Sequence, residues 1–334
     1  MKNPVPSQMT AVFVNAGNGQ LFTKKVDVPI PGKGEVLVKM CAAPINPSDL
    51  AKIREIPADE IADFIPGNEG CGTVVAAGNG ILPRIFLGKR VACSAKYTTS
   101  GTWAEYMVTP AGSCFPMGKS ISDEQAAMTI VNPMTALAFL DIARKNHHKA
   151  VVNTAAAGAL GRMIAVLFAK HHIKVLNIVR NLESLKAIEK HENSFGFNSA
   201  DPDFSINFKD WCEKNNATLM LDAVGGKLVN RVLTLLPPNS TIMLYGNLSQ
   251  EKIEFLPTQL LRENKKIIGF FLGHWVHENG LTKTIINLMK ANAWLKNGLE
   301  TKVQAVFNLE NIQQAVELYE SNMSQGKVLI KSGR

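Results

Sequence analysis

The feature that most constrains the fold is a run of small residues that joins an apolar strand to a helix between Val151 and Gly161. It reads Val-Val-Asn-Thr-Ala-Ala-Ala-Gly-Ala-Leu-Gly, and apolar residues recur after it at helical spacing. Small side chains let a backbone approach a pyrophosphate, whose charge the amides and dipole of the helix stabilise. The run predicts a dinucleotide-binding turn, although Ala156 replaces the first glycine of GxGxxG.

The next predicted strand, Lys174–Val179, ends at Arg180. A site for NAD normally has Asp or Glu at this point, against the ribose 2′-hydroxyl, whereas the first acid here is Glu183. An arginine can instead form a bidentate pair with a 2′-phosphate. We therefore expect NADPH as the cofactor, the alternative being that Arg180 is only solvated.

Two patterns of secondary structure divide the chain. Up to about residue 125, β-prone runs broken by Gly and Pro predict a compact, mostly antiparallel unit. These runs are Thr10–Val14, Glu35–Ala43, Gly72–Ala77 and Trp103–Val108. From Asp123, helices alternate with apolar strands, which predicts a parallel sheet covered on both faces. The predicted strands are Ala150–Asn153, Lys174–Val179, Ala217–Asp222, Ser240–Tyr245 and Lys265–Phe270. Two helices and a strand are predicted to close the chain, at Leu281–Leu295, Leu309–Ser321 and Lys327–Lys331.

Composition narrows the class of protein. A length of 334 residues predicts two domains, and a hydrophobic content of 46% is sufficient for two buried cores. The net charge of +8 comes from scattered pairs such as Lys24-Lys25, without a block of five or six like charges. We therefore expect a solvated basic surface and no nucleic-acid partner.

The apolar stretches are too short or too interrupted to cross a bilayer, so no membrane partner is expected. The first twenty residues lack a continuous apolar segment of the signal-peptide type, which predicts a cytoplasmic protein. Five cysteines are widely spaced and form no CxxC pair, so reduced, mostly buried thiols are expected.

The chain resembles the medium-chain dehydrogenase/reductase superfamily over essentially its whole length. In the first half the resemblance is carried by segments 34–38, 45–49, 66–70 and 101–106, which read GEVLV, INPSD, PGNEG and GTWAEY. The alanine-rich turn and the closing GKVLI of residues 326–330 fit the same family. Segments 131–136, 178–180 and 269–272 are similar to the zinc-free branch of quinone reductases and, most of all, mitochondrial-type 2-enoyl thioester reductases.

The resemblance implies an α/β fold with two domains. A GroES-like β-rich catalytic domain is expected over residues 1–125, completed by residues 272–334. A Rossmann domain, a doubly wound parallel sheet that binds NADPH, is expected over residues 126–271, with the cofactor in the cleft between the domains. Zinc-dependent relatives have Cys and His where Asn46 and Asn68 stand, so no metal is expected.

The resemblance also implies a set of cofactor-binding residues. Ala157, Gly158, Ala159, Leu160 and Gly161 would bind the pyrophosphate, and Arg180 the 2′-phosphate. The cofactor would be lined by Tyr245, Gly246, Asn247 and Leu248. Backbone groups for the nicotinamide carboxamide would come from Phe270, Phe271 and Leu272. The nicotinamide ring or its ribose would be surrounded by Asn46, Asn132, Thr135 and Lys327.

One departure from the family bears on the substrate. Enoyl thioester reductases present a tyrosine as proton donor after the Asn-Pro-Ser-Asp element, but residues 50–57 read LAKIREIP. An enolate must be protonated, whereas a reduced quinone oxygen is basic enough to take its proton from water. We therefore predict an NADPH-dependent reductase of a quinone or a similar electrophilic carbonyl or alkene. Alternatives are an enoyl thioester reductase with water or another residue, such as Tyr97, as proton source, and a catalytically idle cofactor-binding protein.

The resemblance finally implies a homodimer. The predicted edge strand Lys265–Phe270 would leave backbone groups unpaired, and two nucleotide domains would pair through this edge about a twofold axis. The alternative is a monomer whose edge is covered by its own helix near Leu281–Leu295.

Overall fold

The computed structural model describes residues 5–15, 18–54, 64–95, 100–186, 188, 192–296 and 300–332. The chain divides into two compact units. The first unit comprises residues 1–131 and 288–334, and the second comprises residues 132–287.

The first unit is built from antiparallel β-structure. Its strands are β1 (Gln8–Val14), β2 (Leu21–Asp27), β3 (Glu35–Pro44), β4 (Glu69–Ala77), β5 (Arg90–Ser94), β6 (Tyr106–Pro110), β7 (Cys114–Pro116), and, near the end of the chain, β14 (Val303–Asn308) and β15 (Lys327–Lys331). Strands β1 and β2 form a hairpin, and the larger sheet runs β14-β15-β3-β4-β5-β7, with β6 also paired to β3. The pairing of β14 with β15 is parallel. Because β15 pairs with β3, the last strand lies beside residues from the start of the chain.

Four helices accompany these strands: α1 (Pro47–Arg54), α2 (Ile81–Phe86), α3 (Asp123–Ala127) and, late in the chain, α11 (Ile312–Ser321). Helix α11 buries Ile312, Ala315, Val316 and Tyr319 in a core that includes Trp103. The Trp103 indole N–H donates to the carbonyl oxygen of Pro44 at 3.3 Å. This bond lets a large amphipathic ring be buried without losing its hydrogen-bond partner.

The second unit contains a six-stranded parallel sheet. Its strands are β8 (Ala150–Asn153), β9 (Lys174–Val179), β10 (Ser194–Asn198), β11 (Leu219–Asp222), β12 (Thr241–Leu244) and β13 (Lys266–Gly269). The order is β10-β9-β8-β11-β12-β13. From β8 the chain adds strands on one side as far as β10, then returns to place β11 on the other side of β8, so the strand order switches between β8 and β11. The carboxyl ends of parallel strands meet at one edge, where doubly wound folds bind ligands.

Helices precede, connect and follow these strands. They are α4 (Val131–Lys145), α5 (Ala159–Lys170), α6 (Leu182–Lys186), α7 (Phe204–Asn215), α8 (Gly226–Leu233), α9 (Pro257–Leu261) and α10 (Leu272–Lys296). Helix α5 buries its apolar stripe, including Ile164, Leu167 and Phe168, as its helical spacing predicts. The two sheets confirm the predicted α/β class, with a GroES-like β-rich unit and a Rossmann parallel sheet.

Some predicted boundaries are wrong. The strand predicted over Trp103–Val108 is Tyr106–Pro110, because Trp103 is bonded to the loop through Pro66 before β6 joins β3. By contrast, the helix predicted near Leu281–Leu295 is present: α10 is interrupted at Gly280, whose φ of 74° and ψ of 172° are non-helical, and its second segment runs on to Lys296. The predicted helix Leu309–Ser321 starts with a 3-10 turn.

The sequence pattern missed five of the described strands, namely β2, β5, β7, β10 and β14. Strand β10, for example, reads SFGFN, and its side chains are exposed or half-buried. Such a strand owes its extended form to pairing with β9 rather than to its own propensity. No described helix is both long enough and apolar enough to span a membrane.

Candidate functional site

The predicted phosphate-binding turn lies between β8 and α5. Ala155, with φ 48°, adopts the left-handed conformation, whereas Ala156, which replaces the first motif glycine, does not. Gly161 lies against the turn, since a Cβ built there would stand 2.6 Å from both the Ala155 carbonyl oxygen and the Ala156 Cα. Alanine at position 156 therefore creates no backbone strain. Gly161, the last glycine of the motif, is required because the turn packs closely against it.

The start of α5 is open to an anion. No side chain caps it at Gly158, and the first bond into the helix runs from the Arg162 amide to the Gly158 carbonyl oxygen at 3.0 Å. The preceding amides, on residues 159–161, point out of the helix end, as an anion site requires. The half-buried Arg162 also donates from Nε to the Ala157 carbonyl oxygen at 2.8 Å, so a guanidinium stands beside the turn. No sequence pattern marks Arg162 as a site residue.

Arg180 follows β9 directly and is exposed. Strands β9 and β8 are neighbours in the sheet, so Arg180 and the turn after β8 lie at the same carboxyl edge. The next residue is Asn181, not an acid, and its side chain accepts a hydrogen bond from the Ser184 amide at 2.7 Å at the start of α6. The residues present therefore fit a 2′-phosphate.

Two further predicted segments lie at this edge. Tyr245 follows β12, and its ring packs 5.0 Å from the ring of Phe139. Gly246, Asn247 and Leu248 after it are exposed, and the Leu248 amide donates to the Ala223 carbonyl oxygen at 2.9 Å. Burial raises the pKa of Tyr245, which keeps this phenol protonated.

The other segment, Phe270 to Leu272, follows β13. The ring of Phe270 lies 4.6 Å from that of Phe139, whereas Phe271 is exposed and contacts His274 edge-on. Leu272 is the first residue of α10. His274 itself is exposed in the first turn of α10.

The predicted residues Asn132 and Thr135 lie in the first turns of α4 and are 8% and 5% exposed. Phe139 is one turn further on, so it shares a helix face with Thr135. Because Phe139 contacts Tyr245 and Phe270, this face of α4 is turned toward the segments that follow β12 and β13. The second unit thus gathers most of the predicted cofactor residues near one edge of its sheet.

A buried polar layer that the sequence analysis missed supports this edge. The Asn153 side chain donates to the Gly161 carbonyl oxygen at 3.0 Å and to Asn177 Oδ1 at 2.9 Å. Thr154 donates to Asp222 Oδ1 at 2.8 Å and accepts from the Ala223 amide. Burial raises the pKa of Asp222. These bonds tie the turn, α5 and the loop after β11 together, which holds the predicted phosphate-binding turn in place.

The first unit contains a separate buried cluster around two predicted residues, Asn46 and Lys327, which are 1% and 2% exposed. Lys327 Nζ donates to Asn46 Oδ1 and, at 3.0 Å, to the Ile45 carbonyl oxygen. Asn46 Nδ2 donates to Glu69 Oε1 at 3.1 Å, and the Asn46 amide donates to Asp49 Oδ2 at 2.7 Å. Glu69 and Asp49 belong to motifs quoted above, but no local pattern marks either of them as a site residue.

Glu69 also holds the start of α4. Its Oε2 accepts hydrogen bonds from the amides of Ile130 and Val131 at 3.1 and 2.8 Å. A carboxylate at a helix N-terminus satisfies unpaired amides and interacts favourably with the helix dipole. Burial raises the pKa of Glu69 and that of Asp49, and it lowers the pKa of Lys327.

Of the asparagines at the zinc-ligand positions of related enzymes, Asn46 bonds within this cluster and Asn68 Nδ2 donates to Ser48 Oγ at 3.0 Å. Among the described residues, no group of three or more His, Cys, Asp or Glu side chains could hold a metal ion. Tyr97 lies outside the described residues. Of the other tyrosines, Tyr106 and Tyr319 are buried in the first unit.

Comparisons with known proteins agree with this geometry. A model of the alcohol dehydrogenase GroES-like domain matches residues 32–119, and a model of zinc-binding dehydrogenases matches residues 159–291. The mitochondrial enoyl-[acyl-carrier-protein] reductase of Arabidopsis thaliana is 28% identical over 282 residues, covering 81% of this chain and 74% of the relative. The corresponding enzyme of Rattus norvegicus is 27% identical over 338 residues, covering 93% and 86%.

Solved structures show the same likeness. A Mesorhizobium loti protein assigned as an NADPH:quinone reductase superposes with a TM-score of 0.89 at 29% identity, covering 98% of this chain and 99% of the other. This similarity agrees with the two matched domain models and with the open N-terminus of α5. It also agrees with the asparagines at positions 46 and 68, where zinc-dependent relatives have ligands. The chain belongs to the medium-chain dehydrogenase/reductase superfamily of oxidoreductases, in its zinc-free branch.

Proposed function

We propose that the chain is a zinc-independent, NADPH-dependent reductase that transfers hydride to a quinone or a similar electrophilic carbonyl or alkene. The observation that carries the choice of cofactor is the exposed Arg180 at the carboxyl end of β9, where no acid stands. A charge-assisted, bidentate pair with the 2′-phosphate would favour NADPH over NADH.

The residues of the second unit would hold the cofactor along its length. The amides of residues 159–161, with Arg162 beside them, would bind the pyrophosphate. The exposed backbone of residues 246–248 and the segment 270–272 would position the remainder, with Asn132 and Thr135 from α4 at the nicotinamide end. The bound dinucleotide supplies the hydride, so this chain contributes binding and orientation rather than a nucleophile.

The sequence between Leu50 and Pro57 carries no tyrosine to protonate an enolate. Among the described tyrosines, Tyr245 is held against Phe139 and its pKa is raised, which makes it a poor acid at neutral pH. A quinone oxygen takes its proton from water after hydride transfer and needs no such residue. This difference favours a quinone-type electrophile.

The second candidate is 2-enoyl thioester reduction, which the similarity to the mitochondrial enoyl-[acyl-carrier-protein] reductases favours. A substrate panel tests both: NADPH oxidation is measured with simple quinones and, in parallel, with crotonyl and longer enoyl thioesters. Turnover with quinones alone supports the first proposal, and turnover with thioesters alone replaces it by the second. Absence of both activities would leave the catalytically idle alternative, which the comparisons do not favour.

We also propose a homodimer formed through β13. This strand is the last in the order of the sheet, and Ile268 within it is 41% exposed. Leu256 and Leu261, just before it, are 69% and 77% exposed. Pairing two such edges would satisfy backbone groups and bury these apolar side chains.

A further inference from the structure

Two residues that the family resemblance assigns to the cofactor, Asn46 and Lys327, are directed into the first unit. Lys327 donates to the Asn46 side-chain oxygen and to the Ile45 carbonyl oxygen, and its ammonium lies 5.4 Å from the centre of the Tyr319 ring. Both side chains are almost fully buried. Their polar atoms are therefore already engaged by neighbours within the same unit.

The bonding pattern determines how the Asn46 amide is oriented. Lysine has only donors, so the atom of Asn46 that faces Lys327 must be the oxygen. The NH₂ group is thereby turned toward Glu69, which it meets at 3.1 Å. If the amide were reversed, Asn46 would present donors to Lys327 and an acceptor to the Glu69 carboxylate, and both bonds would be lost.

The other oxygen of Glu69 binds the amides of Ile130 and Val131, where α4 begins. Val131 is the last residue of the first unit, and Asn132 is the first residue of the second. The chain of contacts thus runs from Lys327 through Asn46 and Glu69 to the first turn of α4. That helix carries Asn132 and Thr135, which the proposed function places at the nicotinamide end.

We propose that Lys327 and Asn46 are positioning residues: they orient the Glu69 carboxylate, which fixes the first turn of α4, and they act on the nicotinamide end through that helix. The inference rests on the proposed function. It differs from the family resemblance, which would have these two side chains surround the cofactor itself.

The first test is Asn46→Asp, which keeps an acceptor for Lys327 but replaces the donor to Glu69 by an oxygen. At pH 8 the two carboxylates repel, and the start of α4 loosens. On acidification one shared proton restores the contact, and recovery of up to about tenfold per pH unit is expected while that proton binds. The groups that set this titration are Asp49 and Lys52 of α1, Glu69 of β4, Tyr319 of α11 and Lys327 of β15.

Two measurements are made at pH 6 and pH 8. One is the rate of NADPH oxidation relative to wild type, and the other is the hydrogen-exchange protection of residues 130–135 in the protein without cofactor. Both are expected to fall at least about tenfold in Asn46→Asp at pH 8 and to recover at pH 6. Asn46→Leu, which cannot share a proton, is expected to show no recovery. Lys331→Gln, which removes an exposed cation from the same strand, serves as the matched control.

A second pair of variants separates positioning from direct contact. In Glu69→Gln the single amide oxygen is expected to stay on the two backbone amides of Ile130 and Val131, which turns the glutamine NH₂ toward the NH₂ of Asn46. Lys327 prevents the Asn46 amide from reversing to relieve this contact. Adding Lys327→Met frees the Asn46 amide to reverse, so the double variant is expected to recover at least about fivefold in rate and in protection. If Lys327 instead binds the cofactor, the double variant is worse than Glu69→Gln.

A third measurement excludes general damage. The binding of 2′,5′-ADP, which has no nicotinamide, is expected to stay within about twofold of wild type in every variant. A pH-independent ratio for Asn46→Asp, an unrecovered double variant, or a parallel loss of 2′,5′-ADP binding would each overturn the inference. Lack of turnover in the wild-type protein would refute the proposed function, whereas the exchange measurement would still decide the inference.

Discussion

Replacing Gly161 by alanine tests the close packing beneath the phosphate-binding turn. The new Cβ would stand 2.6 Å from the Ala155 carbonyl oxygen and from the Ala156 Cα, and 2.9 Å from the Ala156 carbonyl carbon. All three atoms are backbone, so no flexible side chain can move away. Because ordinary contact begins near 3.4 Å, the turn and α5 must separate by about 0.8 Å.

Overpacking of this kind destabilises by about 1–3 kcal/mol, which for a domain of this size lowers Tm by about 2–12 °C. The displaced amides would also lose at least one hydrogen bond to the pyrophosphate, and we expect NADPH to bind about tenfold more weakly or worse. Differential scanning fluorimetry measures the first effect, and titration of NADPH fluorescence measures the second.

Two glycines provide matched controls. Gly112→Ala places its methyl group where no atom lies within 4 Å, so both Tm and NADPH affinity are expected to match the wild type. Gly158→Ala meets only the Ala155 carbonyl oxygen, at 3.2 Å, so its Tm is expected to change little while the approach of a phosphate is hindered. A Gly161→Ala protein with wild-type Tm and wild-type NADPH affinity would refute the packing argument.

Three further outcomes are expected. NADPH is expected to bind at least about tenfold more tightly than NADH, a difference of about 1.4 kcal/mol in binding free energy. Arg180→Ala abolishes this difference, whereas Lys174→Ala, at the other end of β9, preserves it. Equal affinities of the wild-type protein for the two cofactors would contradict the assignment. Elemental analysis finds no stoichiometric zinc, and chelators leave the reductase activity unchanged, since Asn46 and Asn68 are poor zinc ligands; one tightly bound zinc per chain would show this to be wrong. Light scattering at micromolar concentration gives twice the single-chain mass, whereas a value near 36.4 kDa would mean that the β13 edge does not pair.

The orientation of the Asn46 amide shows why part of the candidate site could not be predicted from the sequence. Asn46 and Lys327 could be selected by resemblance, but the role inferred for them depends on Glu69, which no local pattern marks. The residues of the closest bond in this cluster are 281 positions apart. Nothing in either local segment indicates that they meet.

The predictions that the structure confirms all rest on local patterns. The period of the apolar residues and the small residues after β8 identified the parallel sheet and the turn that joins β8 to α5, because backbone sterics and helical spacing act over a few residues. The boundary that was wrong at Trp103 depends on a hydrogen bond to a distant segment, at Pro66.

The sequence by itself therefore determined the α/β class, the strand-turn-helix that can bind a dinucleotide, and the cation at Arg180 that would select among dinucleotides. Only the tertiary structure decided which buried donors face which acceptors: Asn153 onto Gly161 and Asn177, and Glu69 onto the first turn of α4. The physical reason is that a buried polar group must find a partner wherever the fold supplies one, and that partner is set by packing rather than by neighbours in the chain.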